Sequence, residues 1–169
     1  MKGDFTRNTY RPRRHYWGVL RQQGRVDLDA DWNEQVRIAW GHQTRSTADL
    51  IGPAGGPQGE AGFELTVDGS GDVSIGAGRY YVAGIPCENE TPGAFEDQPH
   101  ADPTEALPTA QGLHLAYLDV WDRHVAAHAD PAIRETALGG PDTATRAATA
   151  WQVRTALLDA APDGLAAAL

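Results

Sequence analysis

Gly24-Arg-Val-Asp-Leu-Asp-Ala-Asp-Trp-Asn-Glu-Gln35 runs from a tight turn directly into the start of a helix. Gly24 marks the turn. Asp29 or Asp31 is placed to act as the N-cap, with Asn33 and Glu34 in the first turn, where negative charge suits the helix dipole. The pattern predicts a helix from about Ala30 to Leu50. Trp32, Val36, Ala39, Trp40, Gln43 and Thr47 recur at three- and four-residue steps and predict one apolar stripe, with Arg37, His42 and Arg45 away from it. Gly52-Pro53 and Gly55-Gly56-Pro57 stop the helix and form a linker.

Upstream of the turn there is no clean period. Arg11 precedes Pro12 and is therefore pushed to an extended conformation. Phe5, Tyr10, Tyr16, Trp17, Val19 and Leu20 are too many apolar groups to leave in water; they pack either on the chain's own core or on a partner. Charge singles out the same arm. Residues 1–25 hold seven basic side chains against Asp4, a net +6, which leaves −15 for the rest of a chain whose total is −9. A basic arm on an acidic body engages an acidic surface, its own or another chain's, and the body repels the phosphates of nucleic acid. Arginine, tyrosine and tryptophan are enriched at binding hot spots. Phe5, Tyr10, Arg13, Arg14, Tyr16, Trp17, Arg25, Trp32 and Trp40 are accordingly the candidate partner-binding residues.

Downstream the period changes from about four to two. Phe63, Leu65 and Val67 alternate with polar residues, Asp68–Asp72 turns, and Val73 and Ile75 return, which predicts a hairpin. Arg79–Ala83 is a third strand, broken at Gly84. Residues 91–112 carry four prolines and many acids and read as a loop. Leu113–Asp122 is apolar on both faces and reads as a central strand. Pro131 opens a short helix, and Gly139–Asp142 is a turn. Thr149–Leu158 alternates and reads as a strand, with an alanine-rich helix as the alternative; residues 160–169 form no convincing element. The reading is an α+β chain. An extended amino-terminal arm and one long helix (1–52) precede a small antiparallel β-domain (62–158) and a tail (159–169).

Nothing in the chain assembles catalytic chemistry, so no enzyme activity, cofactor or metal is expected. Asp27, Asp29 and Asp31 open like a calcium loop, but Trp32 and Ile38 stand where that loop needs glycine and glutamate. His124 and His128 have no third ligand in view. Asp119 interrupts an apolar strand face and calls for an ion-pair partner; Arg123, Arg134 and Arg146 are the candidates. Cys87 is a small core residue without a neighbouring histidine or CxxC, and a single cysteine excludes an internal disulfide. At 169 residues the chain makes one domain or two very small ones. Nineteen glycines, eleven prolines and 41% hydrophobic residues fit β-structure with long connections, or a core finished against a partner. Residues 1–7 lack the apolar core of a signal peptide, and no run reaches the roughly 18 apolar residues of a membrane span. Synthesis in the cytoplasm without a membrane span is the expectation.

Met1–Arg7, His15-Tyr16, and Val19-Leu-Arg-Gln-Gln-Gly-Arg-Val-Asp-Leu-Asp-Ala-Asp-Trp-Asn-Glu-Gln35 together resemble an uncharacterised bacterial family encoded in gene clusters for phage-tail-like contractile injection systems. Gly78–Gly84, Tyr117–His124, Leu138–Arg146 and Trp151–Val153 look like its other landmarks, so the resemblance covers residues 1 to about 155. The family carries no established catalytic residues. Its members tend to be longer, so this chain is either a short member or a part of a longer protein. The resemblance implies a structural component whose arm and helix dock on baseplate, tube or sheath subunits, assembled as a homo-oligomer, a trimer or a six-fold ring. The alternative is a cell-surface binding module of a tail-fibre-like protein, with Tyr80, Tyr81 and Trp121 stacking on sugars of a glycan or contacting a protein receptor.

Overall fold

The computed structural model describes residues 3–102 and 112–158. Its helix α1 spans Asp29–Ile51, one residue beyond the predicted span at each end. The cap is not the predicted one. Leu28 is the N-cap, extended and without a capping side chain, while Asp29 and Asp31 sit in the first turn. There they complement the dipole as expected. Asp29 is already the first helical residue, and its carboxylate also bonds the arm, as described below. At the other end Gly52 has φ 95° and its N–H donates to the Ala48 carbonyl at 2.8 Å.

Eight strands follow among the described residues: β1 Ala54–Gly55, β2 Leu65–Val67, β3 Val73–Ile75, β4 Gly78–Val82, β5 Ile85–Asn89, β6 Gly93–Ala94, β7 Leu113–Val125 and β8 Arg146–Leu158. They make three small sheets, β1-β4-β5, β2-β3-β6 and β7-β8. The chain divides into two compact units. The first takes the chain up to Gly55, Tyr81–Pro86 and Asp122–Ala148; the second takes Gly56–Tyr80, Cys87–Trp121 and the chain from Thr149.

In the first unit, Ala54 and Gly55 of β1 pair antiparallel with Val82 and Tyr81. β4 turns into β5 through Ala83 and Gly84, with φ of 50° and 78°. Positive φ at both central residues is the turn whose twist matches a hairpin. This turn seats on α1: a Cβ at Gly84 would overlap the Thr44 carbonyl oxygen and lie 2.9 Å from the Ala48 nitrogen. The predicted short helix is a single 3-10 turn, Pro131–Ile133, opened by Asp130 accepting from the Ala132 N–H at 3.0 Å. A second such turn, Thr136–Leu138, is opened by Glu135 in the same way.

In the second unit the predicted hairpin forms, with Leu65, Thr66 and Val67 opposite Ile75, Ser74 and Val73. Asp68 closes its loop by accepting from the N–H groups of Ser70 (2.8 Å) and Asp72 (3.0 Å), and these bonds hold its carboxyl below the ordinary aspartate range. β6, inside the stretch read as loop, adds to β3; residues 103–111 of that stretch and the tail lie outside the described residues. Ile75, Phe95 and Val153 form the core, covered by Phe63, Leu65, Val73 and Leu118. The Trp151 indole donates to the Glu88 carbonyl at 2.8 Å and takes the Phe63 ring edge-on at 4.8 Å. Cys87 is fully buried, as expected of a small core residue, and burial pushes its thiol up to about 11.

β7 corrects the reading of a central strand. It pairs only with β8 among the described residues, and Leu113, Leu115, Tyr117 and Trp121 along one face are exposed. Only its other face meets the core, through Leu118. The strand buried on both faces is β8, where Ala150, Trp151, Gln152 and Val153 follow one another in the interior. Asp119 pairs with Arg154 at 3.3 Å, not with Arg123, Arg134 or Arg146. Strand pairing, not nearness in sequence, decides which guanidinium it meets. Both partners are more than a third exposed, so the pair contributes about 0–1 kcal/mol.

Candidate partner-binding surface

All nine candidate contact residues belong to the first unit. The arm passes over α1 twice. Going up, the backbone N–H and hydroxyl of Thr6 donate to Asp29 at 3.3 and 2.8 Å, the Thr9 hydroxyl donates to Glu34, and Tyr10 lies over Gly41. Pro12–Arg14 make a 3-10 turn closed by His15 in the left-handed region. Coming back, His42 Nε2 donates to the Tyr16 carbonyl at 3.4 Å and the Val19 N–H donates to Gln35 Oε1 at 2.7 Å. An Arg21–Asp27 ion pair at 2.9 Å braces the last turn before the helix. The acids and amide of the Asp27–Gln35 motif are therefore clips for the arm. The Thr6 hydroxyl is the main reason the Asp29 carboxyl lies below its ordinary value. Nothing in the sequence pattern marked Thr6 or Thr9 as their partners.

The clips decide which face of α1 is covered. Ala30 and Ile38 are buried, at 1% exposure each, with Glu34, Gly41 and Ala48 half-buried or better along the same side. At about 100° per residue, positions 32, 36 and 40 fall on the opposite side. The predicted stripe is thus the exposed one: Trp32 is 61%, Val36 51% and Trp40 36% exposed. Gly41 explains the exchange. A Cβ there would overlap the Tyr10 hydroxyl, so the covered side is the one narrow enough to admit the arm.

The arm's own aromatics divide. Phe5 sets its ring edge against His124 at 5.1 Å, and Tyr10 is half-buried. Tyr16 is exposed beneath the Arg14 guanidinium at 6.0 Å, and Trp17 is 76% exposed. Leu20, Val26 and Leu28 are also exposed; Leu20 was counted with the arm's apolar groups, but none of the three was among the candidate contact residues. Arg7, Arg13, Arg14 and Arg25 are exposed, and among the described residues no carboxylate lies within 4 Å of them. Arg11 instead donates to the carbonyls of Asn8 and Tyr10.

The second unit has different chemistry. Glu60, Glu88, Asn89 and Glu90 help line an open hollow of about 570 Å³, where Arg79 bonds Glu88 at 2.9 Å. Tyr80, the last residue of this unit's β4 segment, and Tyr81, which belongs to the first unit, are consecutive on the strand and so point to opposite faces. Trp121 meets His100 edge-on at 6.0 Å. Among the described residues no three His, Cys, Asp or Glu side chains converge as a metal site, and no helix is long and apolar enough to cross a membrane.

No curated protein and no solved structure matches the chain. Residues 1–168 match a family of unknown function, DUF6519, and the chain belongs to that family.

Proposed function

We propose that this protein is a structural component of a phage-tail-like contractile injection particle that docks on baseplate or tail subunits through its arm and helix. The observation that carries the reading is the exposure, in one unit, of Tyr16, Trp17, Trp32, Val36 and Trp40 together with Arg13, Arg14 and Arg25. Exposed aromatics bordered by guanidinium groups have the composition of an interface core with a charged rim. A monomer gains nothing by leaving three tryptophans in water, whereas a partner that covers them removes that apolar surface from solvent. Asp29, Glu34 and Gln35 of the Gly24–Gln35 motif hold the arm in place, and on this reading the motif builds the surface without itself being a reactive site. The resemblance to proteins of injection-particle gene clusters supplies the setting.

A tagged copy purified from its native cells, analysed by mass spectrometry and negative-stain imaging, tests the reading. Sheath, tube and baseplate proteins are expected with it. Recovery of the protein without them refutes the particle reading and turns attention to glycan arrays. Arg14→Glu combined with Arg25→Glu is expected to abolish docking with the fold intact; normal assembly of that variant means that the arm's charge is not the docking device.

A further inference from the structure

We infer that the exposed arm–helix face is occupied by the acidic second unit of another copy of this chain, in a head-to-tail association. This rests on the reading of that face as an interface and names its partner. Charge is divided by unit. Among the described residues the first unit holds eleven arginines and ten acids, a net +1; the second holds two arginines and ten acids, a net −8. Six of the eleven arginines lie on the arm between residues 7 and 25, where Asp4 is the only nearby acid of the first 26 residues. Five of those six, all but Arg21, meet no carboxylate among the described residues.

A two-fold pairing of this face with itself would set arginine against arginine in the rim. The second unit offers the opposite sign, and its open hollow, lined by Glu60, Glu90 and the Arg79–Glu88 pair, is placed to receive the exposed Pro12–Arg14 turn. Trp32, Val36 and Trp40 then supply apolar area, and the arginines supply a charge attraction that salt screens, with direction and encounter rate. Because the two patches differ, each docked copy leaves one of each open. Association continues until the rotation closes a ring or an open chain grows.

The test uses the purified full-length chain and its mass in solution. At about 0.05 M salt the mass is expected to be a multiple of 18.1 kDa, falling to 18.1 kDa near 1 M, where the screening length drops to about 3 Å. Two variants change exposed side chains: Trp32→Ser with Val36→Ser strips the apolar face, and Glu60→Lys with Glu90→Lys reverses the hollow. Each alone is expected to be monomeric. Mixed, they are expected to give a pair of twice the monomer mass and nothing larger, since each keeps the patch the other lost. A monomer at every salt concentration, an oligomer indifferent to salt, or a mixture that fails to pair overturns the inference. If the chain is monomeric alone yet is recovered with sheath and baseplate proteins, the particle reading stands and this inference fails.

Discussion

Gly84→Ala puts the smallest side chain where the β4–β5 turn touches the helix. Two costs add. Alanine in the left-handed region costs about 1–2 kcal/mol. Its methyl group would also overlap the Thr44 carbonyl oxygen and crowd the Ala48 nitrogen, so the turn must lift from α1, an overpacking cost of about 1–3 kcal/mol. The sum, about 2–5 kcal/mol, is a large part of the roughly 5–15 kcal/mol of a typical domain. Gly59→Ala is the matched control: its φ of 79° is nearly that of Gly84, and nothing lies within 4 Å of the added methyl group. The control is expected to lose only the first cost. The two variants should therefore differ by about 1–3 kcal/mol, read as a melting-temperature gap at about 2–4 °C per kcal/mol. Circular dichroism melts of both proteins make the comparison. Equal losses would refute the argument that this turn is seated on the helix.

Three further outcomes are expected. Gln98→Ala should cost about 2–4 kcal/mol in urea unfolding, because it strips partners from the buried N–H and carbonyl of Val153 and from the Phe95 carbonyl; a loss under 1 kcal/mol would mean that these groups are satisfied otherwise. Cys87, with its thiol pushed up to about 11, should resist alkylation at pH 8 and react only on unfolding, so full labelling of the native protein within minutes would contradict its burial. Asp29 has a folded value lowered below 3.8, so the hold it gives on Thr6 is fully present above that value and is lost as the pH falls through the lowered one. Hydrogen exchange at the Thr6 amide should show that acid release, and Asp29→Asn should flatten it; an unchanged profile would show that another group holds the arm.

The elements were largely legible in the sequence, and their surroundings were not. The four-residue recurrence that predicts the helix, the alternation that predicts the β2–β3 hairpin and the strand of β8 all act within a few residues, and these elements stand where local pattern puts them. Burial is set by what arrives from far away. Hydrophobicity cannot separate a core stripe from an exposed one, and on α1 the larger apolar residues lie on the bare side. The covered side is defined by Ala30, Ile38 and Gly41, together with polar groups whose partners sit 16 to 25 residues upstream. The same limit applies to β7, whose two apolar faces suggested an interior strand, and to Asp119, whose partner Arg154 lies 35 residues away across a strand pair. The arm's aromatics and arginines were legible as candidates because their number exceeds what a small core absorbs. The geometry that separates Tyr10, half-buried over Gly41, from Trp17, in water, was not.

The carboxamide of Gln98 accepts from the Val153 N–H at 2.6 Å and donates to the Val153 carbonyl at 3.1 Å. One side chain thereby imitates one peptide unit of a neighbouring strand and uses both ladder groups of that residue. Open strand edges invite pairing with any extended chain, which is how aggregation and misassembly begin. β8 carries its most buried stretch at this point, and the amide stops the ladder there. On the docking role proposed above, a protein that meets other subunits through one face gains from having another pairing edge closed by a residue of its own.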